Sequence, residues 1–253
     1  METRIVTPDD AAAQRDARPQ RETPHEPIVV GITTDVSETS GRVKLDVAMA
    51  YASSVARAGG VPVFLAPIVD QVALHLRVCD AFVLTGGDDP VMEQFGVATD
   101  PRVKPVHPVR QEYELALLRA LEGHPTVPVL GVCLGMQMMC LHAGGMLDQY
   151  MPDSVPTAGR HWDATHEIQP LPESAGLLKP GRVHSKHKQV IVRTGRMHAA
   201  ARSDDGLIEA AVDADRAFYV GVQWHPERTD ESAVGQYIFD RLVDAARRVR
   251  SAV

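Results

Sequence analysis

Cysteine is scarce in this chain: Cys79, Cys133 and Cys140 are the only three in 253 residues. So small and odd a number argues against a disulfide framework and suits a reducing compartment where thiols stay free. Positive charge is also short. The formal net charge is −7, so the basic face that nucleic acid or an anionic membrane surface would select is not expected. No apolar run is long enough to span a bilayer, and residues 1–26 lack the apolar core of a secretory leader. The expectation is a soluble, cytoplasmic protein with neither nucleic-acid nor membrane partners. What remains is ordinary for a globular chain, 44% hydrophobic and 23% charged, and long enough to bury a large core.

Residues 1–27 are rich in Arg, Asp, Glu, Gln and Pro without apolar periodicity, and they predict a disordered N-terminal tail. From Ile28 the pattern changes. Short continuous apolar runs at 28–32, 61–65, 80–84 and 127–132 read as strands buried on both faces. Helical spacing falls between them at 45–58, at 111–121, and from the residues after Cys133 to Ala143. Further strands are expected at 189–192, 207–212 and 217–224. A closing helix is expected over 231–250, with Val234, Ile238, Leu242 and Val243 on one face. No internal repeat is found. The prediction is one α/β domain over 28–253, with a mostly parallel central sheet and helices on both faces.

Within that frame, Gly131-Val132-Cys133-Leu134-Gly135 sets a cysteine between two glycines where a strand meets a helix. This is a nucleophile-elbow pattern with sulfur in place of oxygen. The tight turn needs flanking positions without side chains, and the helix N-terminus favours a thiolate. Leu134 N–H is then positioned to donate to an oxyanion. Cys79, at the end of a helix-like stretch, and Cys140, among Met138, Met139 and Leu141, read as packing residues. A second motif, His225-Pro226-Glu227, follows the apolar strand that ends in Val222. Pro226 favours an extended His225, and residues i and i+2 of an extended segment project to the same side. Glu227 is thus expected to hold one ring nitrogen and leave the other free to act on Cys133.

The two motifs together resemble the class I glutamine amidotransferase superfamily. The segments Leu84-Thr85-Gly86-Gly87-Asp88-Asp89, Gly144-Gly145-Met146-Leu147, Ser185-x-His187-x-Gln189 and Asp205-Gly206-Leu207-Ile208-Glu209-Ala210 are similar to its γ-glutamyl-γ-aminobutyrate hydrolase branch, the C26-type peptidases. The similarity runs from Ile28 to the C-terminus, with the motifs in the same order. It implies a flavodoxin-like sheet with the cysteine on the elbow and an oxyanion hole made by Leu134 and the Gly86-Gly87 loop. It also implies substrate contacts from Gln137, Ser185, His187 and Gln189. Leu134 stands where these hydrolases often carry arginine; this departure, with Gln111, Cys140 and His184, bears on substrate choice and not on the Cys133, His225, Glu227 set.

The reaction implied is hydrolysis of a γ-glutamyl amide through a thioester on Cys133, feeding polyamine and γ-aminobutyrate catabolism. It needs no cofactor and no metal; His184-x-x-His187 alone is a weak metal pattern. The expected partner is a small γ-glutamyl substrate, with a homodimer left open. Three alternatives stand beside it. One is a glutaminase subunit serving a separate synthetase. Another is a hydrolase of γ-linked polyglutamate, for which Arg102, Lys104, Arg110 or Arg160 would supply a basic pocket. The third is a silent regulatory relative. The irregular segment 148–180 is expected to cover the site.

Overall fold

The structure, a computed structural model, describes residues 27–174 and 176–252; the expected tail therefore lies almost wholly outside the described residues. Nine strands form one sheet. The strands β1 (Ile28–Thr33), β4 (Gly60–Leu65), β5 (Ala81–Leu84), β6 (Val129–Val132) and β13 (Tyr219–Val222) run parallel. Beyond β13 the sheet continues antiparallel through β12 (Ile208–Val212), β11 (His198–Ser203), β8 (Trp162–Pro170) and β9 (Gly181–Lys186). The order across it is β4-β1-β5-β6-β13-β12-β11-β8-β9. The inner parallel strands β1, β5, β6 and β13 carry continuous apolar runs because they are buried on both faces. The run at 61–65, expected to be buried likewise, is corrected: β4 is the edge strand, and Val61, Val63 and Phe64 are exposed. On β5, Ala81 and Val83 point into one core with Tyr51, Val55, Ile238, Phe239 and Leu242. Phe82 and Leu84 point into the other, with Leu117, Leu118, Leu121 and Met139. The period of two along a strand feeds both layers.

The helices on the first face are α1 (Met49–Arg57) and α5 (Gln236–Ser251). Those on the second are α2 (Val72–Val78), α3 (Pro108–Glu122) and α4 (Leu134–His142). Two expected boundaries are corrected. Leu45 does not open the first helix but belongs to an exposed hairpin of β2 (Asp35–Thr39) and β3 (Arg42–Asp46). Its two-residue turn, Ser40-Gly41, has positive φ at both positions, the twist that a tight hairpin requires. The last helix begins at Gln236 instead of Glu231. Glu231 is held instead as an acceptor: its side chain takes the N–H of Arg182 and its carbonyl the N–H of Gly235. A small second sheet pairs β7 (Met146–Asp148) with β10 (Val190–Arg193), so the expected strand at 189–192 forms outside the main sheet. No helix among the described residues is long and apolar enough to cross a membrane.

Candidate active site

Cys133 sits between β6 and α4 with φ 50° and ψ −103°, a conformation that side-chain-bearing residues rarely adopt. Three contacts lock it there. Its N–H donates to Val222 O at 2.8 Å, its carbonyl accepts the first helical bond of α4 from Gln137 N–H at 3.1 Å, and the flanking glycines let the backbone close up. A Cβ on Gly135 would lie 2.2 Å from Leu84 O, and one on Gly131 2.7 Å from the Gly135 carbonyl carbon. Both glycines are therefore spatial requirements of the elbow.

His225 follows β13. Its N–H donates to His184 O at 2.9 Å, and its Nδ1 lies 2.8 Å from Glu227 Oε1. The side chain of Glu227 is itself only 2% exposed. Burial opposes a charge on the imidazole, but the hydrogen bonds and negative charge of Cys133 and Glu227 outweigh it and push His225 up to about 10. Burial pushes the Cys140 thiol up to about 12, and burial together with Asp80 pushes Cys79 up to about 11. Of the three cysteines, Cys133 alone has an imidazole and an amide at the sulfur. The amide is Gln223, which carries no motif of its own in the sequence: its Nε2 donates to Cys133 Sγ at 3.6 Å and its Oε1 accepts from Gln137 Nε2 at 3.3 Å. Pro226–Arg228 form a 3-10 turn, so it is this turn and not the expected extended spacing that brings Glu227 to His225. Gln223, two residues before His225, comes from the end of β13.

The Gly86-Gly87 loop lies across from the sulfur. A Cβ on Gly86 would meet His225 Cε1 at 2.9 Å and Cys133 Cβ at 3.5 Å. Gly86 N–H donates to Tyr51 Oη at 3.0 Å, so of the two loop amides it is Gly87 that is free of this contact. Tyr51, on α1, carried no sequence signal; burial and then the charge of Glu227 raise its phenol well above the usual range. Arg110 is fully buried beneath the loop and donates to Thr85 O at 2.7 Å and Gly86 O at 3.2 Å, while pairing with Glu114 and Asp35. It supports the loop and is no part of a basic pocket.

A cavity of about 460 Å³ opens above the sulfur, with Cys133, Gln137, Gly87 and His225 at its base. His187 and Gln189 line one wall. Ser185 does not reach it, being fully buried with its hydroxyl donating to His161 O at 3.3 Å. Arg102, Lys104, Lys186 and Lys188 stand around the mouth. Arg102 is paired with Asp100 and Asp153, and Lys104 with Asp88. Lys188 Nζ lies 4.3 Å from the ring centre of Trp162. Trp162 is the residue of segment 148–180 that lines the cavity, whereas Arg160 pairs with Asp204. His184 and His187 do not converge: His184 faces Asp163 and the ring of His225, and His187 turns toward Glu209.

The family model of peptidase C26 matches residues 28–227. The chain belongs to the peptidase C26 family. Through it the chain joins the class I glutamine amidotransferase-like proteins. Relatives include a candidate glutamine amidotransferase of Mycobacterium tuberculosis, 33% identical over 78% of this chain and 66% of its own length. A glutamine amidotransferase-like protein of Lactococcus lactis is 33% identical over 68% and 77%. The γ-glutamyl-γ-aminobutyrate hydrolase of Escherichia coli is 25% identical over 87% and 93%. The fold is that of a candidate GMP synthase component from Thermoplasma acidophilum, with a TM-score of 0.64 at 16% identity over 90% of this chain and 98% of that one.

Proposed function

We propose that the protein hydrolyses γ-glutamyl amides whose amine portion carries a negative charge, with Cys133 as nucleophile, His225 as general acid and base, and Glu227 as its orienting carboxylate. The observation that carries the reading is the strained Cys133 at the head of α4, beside an imidazole whose far nitrogen is held by a buried carboxylate. In this reading Cys133 sulfur adds to the γ-carbonyl, and the oxyanion is held by Leu134 N–H and Gly87 N–H. His225 gives its proton to the departing amine as the C–N bond breaks, leaving a γ-glutamyl thioester and a free amine. Water, deprotonated by His225, adds to the thioester; glutamate leaves and the thiol is restored. Gln137 and Gln223 are suited to hold the glutamyl head group beside the sulfur.

The charge preference rests on the cavity mouth. Lys186 and Lys188 reach it over the face of Trp162 without the salt bridges that hold Lys104 and Arg102, and outnumber Asp89, the lining carboxylate not paired to Lys104. γ-Glutamyl-γ-aminobutyrate and γ-linked diglutamate both carry a carboxylate on the amine side of the scissile bond; glutamine carries none. The test is glutamate release from these three substrates and from an uncharged γ-glutamyl alkylamine, with parent and Cys133→Ser. Turnover of the anionic substrates above glutamine, lost by at least about 10³-fold in the variant, is expected. Equal rates on glutamine, or full activity in Cys133→Ser, overturn the reading.

A further inference from the structure

Four side chains dispersed between positions 161 and 209 meet in the antiparallel half of the sheet. His161 ends the short 3-10 turn before β8, His166 lies on β8, His187 follows β9 and Glu209 lies on β12. All are at most 3% exposed. His161 Nδ1, His166 Nε2 and His187 Nε2 stand 3.2, 3.4 and 3.6 Å from Glu209 Oε1, and the four atoms lie within 4.8 Å of one another. None of the three nitrogens, nor either Glu209 oxygen, has a hydrogen-bond partner among the described residues.

The outer nitrogens explain why this matters. His187 Nδ1 faces Gln189 O at 2.8 Å, His166 Nδ1 faces Glu167 O at 3.2 Å, and His161 Nε2 faces Asp205 Oδ2 at 3.0 Å. Each of these partners only accepts, so each outer nitrogen carries the ring's N–H. In a neutral imidazole the inner nitrogen is then a bare lone pair. Three lone pairs directed at one carboxylate, away from water, repel one another and leave every group unsatisfied. One added proton would satisfy one nitrogen and leave two. A doubly charged cation satisfies all four atoms and balances the carboxylates of Glu209 and Asp205.

We propose that His161, His166, His187 and Glu209 bind a divalent metal ion of the zinc type. Zinc bonds of about 2.0–2.1 Å to nitrogen and oxygen imply a tetrahedron with edges of about 3.3 Å, close to the 3.2–3.6 Å that separate the nitrogens from Glu209 Oε1. Imidazole-rich ligands select zinc over calcium and magnesium, which take oxygen shells. Asp205 and the two carbonyls behind the rings are the outer acceptors that fix histidine ligands in orientation. With four protein ligands the coordination shell is closed, so the ion is structural and activates no water. Its effect is on the cavity wall: it ties β8, the segment after β9 and β12 together, and Trp162 at the start of β8, Lys186 at the end of β9, and His187, Lys188 and Gln189 after it line that wall.

The test uses the full chain with Cys133→Ser, so that the thiol beside His225 cannot hold the ion. The protein is stripped with a chelator, freed of it, and titrated with Zn²⁺ against a chromophoric competitor and with Co²⁺ in the visible. One equivalent per chain, a tetrahedral cobalt spectrum without sulfur charge transfer, and a melting temperature raised by zinc are expected. Adding His166→Gln is expected to weaken zinc by more than about 100-fold, and Asp205→Asn by about 10–100-fold, whereas His184→Gln leaves it unchanged. Should His166→Gln be insoluble, Asp205→Asn carries the test. No zinc uptake by the Cys133→Ser protein, or undiminished uptake in the cluster variants, overturns the proposal.

Discussion

The two halves of the sheet solve the problem of burial in opposite ways. In the parallel half, β1, β5, β6 and β13 present almost nothing but aliphatic surface to both layers, and the polarity is concentrated at the strand ends, where Cys133 and His225 emerge. In the antiparallel half, polar groups lie inside. Beyond the histidine cluster, Ser185 and Ser203 are also buried there. An apolar core tolerates one strained residue at its edge because dense packing on both sides fixes the backbone. A polar core is held by satisfied partners, and an unsatisfied one is costly. The comparison teaches that the reacting atoms belong to the half specified by hydrophobic packing, and the shape of the substrate cavity to the half specified by polar pairing.

Substitutions can sharpen or break that division. The largest effect on the chemistry is expected from His225→Asn, with kcat/KM falling by about 10²–10⁴-fold in a glutamate-release assay, while far-UV circular dichroism stays that of the parent. Next comes Gly135→Ala. Its Cβ meets the backbone oxygen of Leu84 at 2.2 Å, and neither side can yield. A loss of about 1–3 kcal/mol in urea unfolding is expected, with activity falling further as the elbow shifts. A full retention of stability there would show that the elbow is not a spatial requirement.

Stability should also depend on pH through His225, at the end of the parallel half. His225 binds its proton more tightly folded than unfolded, about 10 against the ordinary 6.5. Its contribution is therefore complete below about pH 6.5 and is lost as pH rises toward about 10. Unfolding measured across that window is expected to show a shallower alkaline loss in Cys133→Ser, since the sulfur is a main cause of the shift. The smallest effect is expected from Lys188→Glu at the cavity mouth. KM for an anionic γ-glutamyl substrate should rise by no more than about tenfold with kcat unchanged, and glutamine kinetics should not move.

What the sequence revealed follows the same division. The strands at 28–32, 80–84 and 127–132 were legible because burial on both faces writes itself as a continuous apolar run. The elbow was legible because two glycines flank one cysteine. The strands β8 and β9 were not, since His166 and Ser185 occupy buried positions and interrupt the alternation that marks a half-buried strand. The hairpin β2–β3 escaped because its apolar residues Val43 and Leu45 are 66% and 50% exposed, so Leu45 read as the start of the next helix. The histidine cluster was invisible because its members come from four elements with no local spacing. Gln223 was within reach of the period of two along a strand, being two residues before His225 at the end of β13. Ser185, grouped with His187 and Gln189 by motif, lies on β9, buried with its hydroxyl on His161 O, whereas the other two follow the strand and reach the cavity.

The rung where β12 meets β13 has a practical consequence. Gln223 N–H donates to the Glu209 carbonyl at 2.7 Å, so the residue bonded to the sulfur and the residue at the centre of the histidine cluster are direct neighbours across one seam. The wall segments 162 and 186–189 reach the reaction centre by way of that seam, the bond from His225 N–H to His184 O, and the cavity itself. Trp162, Lys186 and Lys188 can be redesigned to admit a different amine, with His187 kept in the cluster, as long as the ladder Ala210–Val222, Ala211–Gly221 and Val212–Val220 keeps its register. A slip of one residue along it would turn both Glu209 and Gln223 to the wrong face at once, and new specificity and lost reactivity would then arrive together.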